Sequence, residues 1–349
     1  MNISKILTHW YSVNKRRMPW RITKDPYKIW LSEIILQQTQ IKQGLPYYEV
    51  FVTIYPTVFN LAKASEEDVL KLWQGLGYYS RARNLHGTAK YIAYELEGNF
   101  PETYEGLLKL KGIGDYTASA IGSICFNLPT AVVDGNVYRV LARYFGIQTP
   151  INSTEGIKKF KSIAQKLIDK NNPGDHNQAI MEFGAIQCKP SNPDCSNCAL
   201  RVGCAAFNTE MIDQLPVKLK KAKIKTKHFN YIVLNSEDGN TRLEKREGPG
   251  IWQNLYQFPL LETNQILSIG DLKEHQGFQV LVPADFLQVT LFNKEAIVHK
   301  LSHQHLHTRF WIVNTKSLNG DSVPISMIRQ YPVPVLISNF IESFDFKLS

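Results

Sequence analysis

Leu110-Lys111-Gly112-Ile113-Gly114-Asp115-Tyr116-Thr117-Ala118 leads into Val132-Val133-Asp134-Gly135-Asn136-Val137, and the reading of these two stretches decides the fold. Upstream, Pro101 to Leu110 carries helix formers and leucines at helical spacing. Downstream, Thr117 to Ile124 is rich in small and apolar residues. Gly112-Ile113-Gly114 therefore reads as a tight hairpin between two helices. Glycine permits positive φ and lets a backbone approach a partner closely. The amides that open the second helix converge where the helix dipole is positive, which suits one phosphate oxygen. Asp115 suits that helix start as a cap or a first-turn acid. A lone Gly-x-Gly is more often an ordinary turn, so the rest of the chain must decide.

The chain has 349 residues, 44% of them hydrophobic, which is enough apolar material for two or three packed domains. A net charge of +9 favours a polyanionic partner. The N-terminus has no apolar run after a basic start, and no segment approaches membrane-spanning length. A cytoplasmic protein with no membrane partner is expected. Four of the five cysteines crowd between Cys188 and Cys204, which without an export signal argues for metal over disulfides.

Residues 1–20 read as an amphipathic helix running into Arg16-Arg17-Met18-Pro19-Trp20-Arg21. Trp30 to Ile41 reads as one helix, with Trp30, Leu31, Ile34 and Ile35 as its apolar stripe and Glu33 at the edge. Such a carboxylate ordinarily meets solvent or a base. If it is buried, its pKa rises and it can hold a proton to donate. Gln37-Gln38-Thr39-Gln40 is an uncharged polar run suited to base edges or to wedging into a base stack. Residues 57–95 hold two helices joined through Gly75-Leu76-Gly77-Tyr78-Tyr79-Ser80-Arg81-Ala82-Arg83. That segment suits either stacking and backbone contact on nucleic acid or a turn with core tyrosines and a solvated basic face. Residues 155–185 are helical again, and no strand pattern precedes residue 225, so the first part is all-α.

Cys188, Cys195, Cys198 and Cys204 are spaced C-x6-C-x2-C-x5-C, which suits one [4Fe–4S] cluster or one zinc ion and does not choose between them. Cys125 lies in an apolar helix and reads as core. Residues 215–227 contain six lysines and no acid, a basic linker. After it, Phe229 to Leu234 reads as a strand, Gly250 to Pro259 as a loop and strand, and 298–313 as alternating stretches that place His303, His305 and His307 on one strand face. No acid or cysteine accompanies those histidines, so they read as ordinary strand residues. Residues 228–349 form an α+β domain.

Trp30 to Gln40, Gly75 to Arg83, the hairpin, Val133 to Val137 and the four cysteines together resemble the MutY-type adenine DNA glycosylases. These belong to the helix-hairpin-helix base-excision superfamily that includes endonuclease III. The resemblance runs almost end to end. The Leu-Gln-Gln-Thr-Gln run, Tyr116 and the C-terminal domain point to this branch. It implies a multidomain chain whose all-α helix-hairpin-helix glycosylase region spans residues 1–214. There a six-helix barrel takes up about 22–134, and a cluster lobe forms from 1–21 and 135–214. The linker 215–227 and a Nudix-like α+β domain over 228–349 follow. It also implies one [4Fe–4S] cluster on Cys188, Cys195, Cys198 and Cys204, and as partner double-stranded DNA with 8-oxoguanine·adenine or guanine·adenine mispairs. A monomer is expected. The C-terminal region lacks a Glu-rich magnesium-binding helix, with Glu274 nearly alone, so it fits lesion recognition without hydrolysis.

The same resemblance assigns roles. Glu33 matches the residue that protonates adenine, and Asp134 the one that stabilises the sugar cation, with Tyr116 and Asn136 assisting by hydrogen bonds. Gln38 and Tyr79 match groups that fill the gap left by the extruded base, and Gly112 and Gly114 match the backbone grip. Trp20 and Arg21 fit a segment lining the adenine pocket. Leu36, Thr39 and Arg81 are further expected DNA contacts. Leu301-Ser302-His303 stands where the family has a Phe-Ser-His loop against 8-oxoguanine, so the aromatic wedge is missing. Bifunctional relatives carry a lysine where Tyr116 stands. A phenol forms no Schiff base, so a monofunctional enzyme is implied.

Overall fold

Five helix starts in the first two hundred residues are set by side chains that accept backbone N–H groups. Asp25 accepts from Tyr27 N at 2.9 Å, with Pro26 in the first helical position, and begins the helix Pro26–Ile35. Ser65, Thr103, Asp134 and Ser153 open later helices in the same way. The computed structural model describes residues 3–220, 224–318 and 320–346. Its helices in chain order are α1 (Ile3–Asn14), α2 (Pro26–Ile35), α3 (Ile41–Ile54), α4 (Val58–Lys63), α5 (Glu66–Leu72), α6 (Ser80–Glu95), α7 (Tyr104–Leu108), α8 (Asp115–Cys125), α9 (Gly135–Phe145), α10 (Thr154–Leu167), α11 (Pro173–Ile186) and α12 (Ala205–Asn208).

The single helix expected over Trp30 to Ile41 is two helices. α2 ends at Ile35, Gln38 takes a left-handed φ of 54°, and α3 begins at Ile41. The polar run Gln37 to Gln40 has no apolar side chain to bury, so nothing repays continuing the helix through it.

The chain divides into two compact units. One comprises Met1–Lys63 with Asn84–Lys220, the other Ala64–Arg83 with Lys221–Ser349. In the first, α11 packs against α1, α8 and α9. Leu7, Val137, Leu141, Phe160, Ile180 and Phe183 are buried in its core. A buried polar contact fastens α1 to α11, where Ser4 Oγ lies 2.7 Å from His176 Nδ1.

The second unit centres on a five-stranded sheet built from β1 (Lys225–Ser236), β5 (Leu260–Thr263), β6 (Gln288–Leu291), β7 (Ile297–Lys300) and β8 (Gln304–Thr315). Between β1 and β5 lie the two-residue strands β2 (Asn240–Thr241), β3 (Glu244–Lys245) and β4 (Tyr256–Gln257). β1 and β8 run parallel from Lys225↔Gln304 to Ser236↔Thr315. β5 pairs antiparallel with β1, and β6 and β7 pair antiparallel with β8. Helix Val335–Ser343 covers the sheet, stacking Phe340 on Phe310 at 4.1 Å. The sheet reaches into the expected linker. Lys225 and Lys227 pair with β8 through their backbones, which a charged side chain does not prevent, while Lys221, Ala222 and Lys223 lie outside the described residues. His303 sits in the turn before β8, so it does not share a strand face with His305 and His307.

Ala64 to Arg83 was expected within the helical barrel and groups instead with the sheet. The cause is a polar seam. Glu67 accepts from Lys245 Nζ (2.7 Å) and Tyr256 Oη (2.8 Å), and Glu66 accepts from Asn254 Nδ2 (2.6 Å). Gln74 Nε2 donates to Ser338 Oγ at 2.8 Å, and Arg83 Nη1 to Gln253 O at 2.8 Å. Among the described residues no helix is long and apolar enough to cross a membrane.

Burial holds the His176 imidazole down at about 4 from its ordinary 6.5. The unfolded chain therefore takes up a proton near pH 6.5 that the folded chain refuses until about pH 4. This contribution to stability is complete above pH 6.5 and is lost as pH falls toward 4. Urea midpoints measured across that window will fall more steeply for the parent protein than for His176→Asn, which has nothing to titrate.

Candidate active site

Glu33 occupies the last turn of α2, flanked by buried Leu31, Ser32, Ile34 and Ile35, and is itself only 7% exposed. Burial pushes its carboxyl up to about 7, and the nearby Asp134 charge pushes the same way. The Tyr116 hydroxyl and the Arg21 cation pull against them. Glu33, Tyr116, Asp134 and Arg21 thus share one electrostatic neighbourhood. Tyr116 comes from the first turn of α8, and its hydroxyl also lies 3.3 Å from Met181 Sδ. Burial drives that phenol well above its usual pKa.

Asp134 caps α9. Its Oδ1 accepts from Asn136 N (2.9 Å) and Val137 N (2.8 Å), and its Oδ2 from Asn136 Nδ2 (2.8 Å). Burial raises this carboxyl too, but three N–H donors and the Arg139 cation favour its anion. The contrast with Glu33 lies in donors, since a helix N-terminus feeds one carboxyl and a single phenol the other.

The Asn136 amide is oriented by Arg139, whose Nη2 donates to Asn136 Oδ1 at 2.8 Å. Arg139 also donates to Cys188 O (2.7 Å) and Gly184 O (2.6 Å). A continuous set of hydrogen bonds therefore joins Asp134 to the first cysteine of the loop. Gly184 makes this possible, because a Cβ there would lie 2.6 Å from Asn136 Cβ. Gly112 in the hairpin has φ +82° and lies against Asn84, as the sequence reading requires.

Trp20 and Arg21 line a cavity of about 330 Å³ together with Tyr11, Lys24, Asp175 and Gln178; Glu33 and Asp134 are not in its lining. Arg21 is held by Glu182 (2.9 and 2.7 Å) and Gln178 (3.3 Å). Burial alone would raise Glu182, but Arg16 and Arg21 overcome it and hold the carboxyl at about 2.

The four loop cysteines are partly buried and lie within electrostatic reach of one another. Arg143 threads the loop, with Nη1 3.5 Å from Cys188 Sγ and 2.7 Å from Lys189 O, and Nη2 3.1 Å from Pro190 O. An all-sulfur donor set suits a soft metal centre. Among the described residues no group of three or more His, Cys, Asp or Glu stands in position to hold a metal ion. Cys125 ends α8, where burial raises its thiol to about 12, in keeping with a core residue.

In the second unit, Leu301, Ser302 and His303 line a cavity of about 440 Å³ with Tyr78, Tyr79, Ser80, Arg83, Trp252 and Lys300. Two expected DNA contacts change character here. Tyr79 is 5% exposed and its hydroxyl lies 3.4 Å from Val333 O, so the ring is packed inward; Tyr78 is the exposed ring, at 48%. Arg81 is buried on the Trp73 ring at 5.1 Å and donates to Leu76 O and Gly77 O, which makes it a loop brace. Gln38 is exposed and Thr39 partly so, with Thr39 Oγ1 donating to Gln37 O at 3.3 Å; Leu36 is partly buried. Arg139, Arg143, Glu182 and Tyr78 are the site residues that sequence reasoning missed. The arginines carried a usable signal, two cations four apart on the apolar face of a helix.

Residues 31–191 match the family described as HhH-GPD superfamily base excision DNA repair protein, and residues 230–343 match the NUDIX domain. An adenine DNA glycosylase of Buchnera aphidicola subsp. Baizongia pistaciae is 37% identical over 319 residues, covering 89% of this chain and 86% of that protein. The chain belongs to the adenine DNA glycosylase family. The human adenine DNA glycosylase is 44% identical over 218 residues, 60% of this chain and 40% of its own. A thermostable thymine-DNA glycosylase structure overlays with a TM-score of 0.55 at 28% identity, covering 59% of this chain and 95% of that one. A trapped endonuclease III–DNA intermediate, at TM-score 0.52 and 20% identity over 60% of this chain and 95% of that one, shares the fold. The protein is accordingly a DNA N-glycosylase of base excision repair, with a helical glycosylase region followed by a Nudix-like domain.

Arg139→Leu strips the buried Gly184 O and the partly buried Asn136 Oδ1 and Cys188 O of a donor. Each orphaned group costs about 1–3 kcal/mol. Thermal unfolding will shift down by several degrees, and single-turnover adenine release will slow even where the variant remains folded.

Proposed function

We propose that this glycosylase excises adenine paired with 8-oxoguanine or guanine, hydrolytically and without cutting the strand. The observation that carries the reading is the pair Glu33 and Asp134, one carboxyl raised to about 7 and the other fed by three N–H donors. An N-glycosidic bond in a duplex is out of reach until the nucleotide leaves the stack. Unstacking costs a few kcal/mol, which backbone grip and gap filling must offset. The hairpin Gly112-Ile113-Gly114 suits the grip, and exposed Gln38 and Tyr78 suit the filling.

Neutral Glu33 then gives its proton to the departing adenine, so the leaving group is not an anion. Positive charge builds on the sugar as the bond from C1′ to the base breaks, and anionic Asp134 stabilises it until water adds at C1′. This is the division of labour between two carboxyls that sugar hydrolysis uses. Asn136 and Arg139 keep Asp134 oriented and charged. Tyr116 steadies Glu33 and, as a phenol, offers no amine to capture the sugar. Cys188, Cys195, Cys198 and Cys204 would hold one [4Fe–4S] cluster, which when bound cross-links the loop whose Cys188 carbonyl receives Arg139. Ser302 and His303 supply polar groups toward the 8-oxoguanine, with Leu301 in place of an aromatic wedge. The protein works as a monomer in the cytoplasm.

Glu33→Gln and Asp134→Asn, assayed on an 8-oxoguanine·adenine duplex, will each lose about 10²–10⁴-fold in single-turnover rate while still binding DNA. Loss of binding with turnover intact in the bound fraction would refute the roles given. Borohydride-trapped adduct forming as fast as adenine is released would refute the monofunctional reading.

The rate will be highest where Glu33 keeps its proton and will fall about tenfold per unit as pH rises above about 7. A rate flat to pH 9 would exclude Glu33 as the proton donor.

A further inference from the structure

Asp115 is a poor residue for a phosphate grip. It opens α8, where free N–H groups and the helix dipole favour an anion, and its own carboxylate competes with and repels phosphate. Two side chains engage it. Lys161 reaches from α10 and places Nζ 2.8 Å from Asp115 Oδ1, and the Tyr104 hydroxyl donates to the same carboxylate. Lys161 Nζ also donates to Ser119 Oγ at 3.1 Å and to Ala131 O at 2.7 Å. Ala131 lies in the stretch without helix or strand that ends at Asp134. One ammonium therefore joins the hairpin's second helix to the segment that delivers the catalytic aspartate.

We propose that Lys161 is a positioning residue for DNA binding, which neutralises Asp115 at the hairpin and ties the hairpin to the segment carrying Asp134. The proposal rests on the hairpin being the phosphate grip. The ion pair is partly exposed, with side chains 29% and 51% accessible, and pairs of that kind add little to stability. Its effect is felt by the ligand, because an uncompensated carboxylate beside a phosphate weakens association most at low salt.

The test uses the full chain and a duplex whose target adenosine, opposite 8-oxoguanine, carries a 2′-fluoro sugar that resists cleavage. Affinity is measured over a range of salt. Lys161→Met will raise Kd about three- to tenfold at low salt and flatten the slope of log Kd against log salt by about one. Asp115→Asn alone will bind as tightly as the parent or more tightly, and adding it to Lys161→Met will restore most of the lost affinity. A merely structural lysine would not be rescued by removing the charge it faces. Parent-like binding by Lys161→Met, or a double variant no better than Lys161→Met, overturns the proposal.

Gly114→Ala separates this from the reading beneath it. A Cβ at Gly114 meets nothing within 4 Å in the free protein, so weaker binding reports close approach of the DNA backbone. If Gly114→Ala weakens binding and Lys161→Met does not, only the lysine's role fails. If neither weakens it, the hairpin is not the grip and the functional reading fails with it.

Discussion

Glu33 and Asp134 share one electrostatic neighbourhood, and they differ in the number of hydrogen-bond donors given to each. Raising Glu33 from 4.5 to about 7 disfavours its anion by roughly 3 kcal/mol, enough to keep much of it protonated near neutrality. Asp134 is partly buried and sits on the end of α9, where backbone amides have no other acceptor. The same helix end that folds the chain gives the Asp134 side chain two backbone N–H donors.

The rest of the helical unit serves that arrangement by fixing orientation. Asn136 has a side-chain amide that points the right way only because Arg139 occupies its oxygen, and Arg139 is fixed in turn by the carbonyls of Gly184 and Cys188. The cysteine loop thus bears on the aspartate through the backbone, with Arg143 gathering the loop's carbonyls four residues further along the same helix. On the other side, Glu182 bundles Arg16 and Arg21, so that Trp20 and Arg21 meet their cavity as one rigid wall.

Much of this was legible because it depends on local chemistry. The hairpin needs glycines, and a change from helical to alternating periodicity marks a change of domain. What escaped reading depends on partners distant in sequence. Tyr78 and Tyr79 are adjacent and identical, and only the carbonyl of Val333 and the fold around it decide which ring turns inward. Arg81 looks like a phosphate contact until Trp73 is seen beneath it. The break after Ile35 was hidden because glutamines are good helix formers and carry no turn signal, while Gln38 takes a left-handed φ. Arg139 and Arg143 drew no reading of their own, although a helix that is apolar around them is a reason to look for acceptors.

The seam that fastens Ala64–Arg83 to the sheet makes the chain less modular than its order of motifs suggests. A fragment ending at Lys220 would contain Glu33, Tyr116 and Asp134, yet it would remove the hydrogen-bond partners that Glu66, Glu67, Gln74 and Tyr79 have beyond Lys220. Truncation would then erode the glycosylase half itself, through a loop that borrows its shape from the other end of the polypeptide.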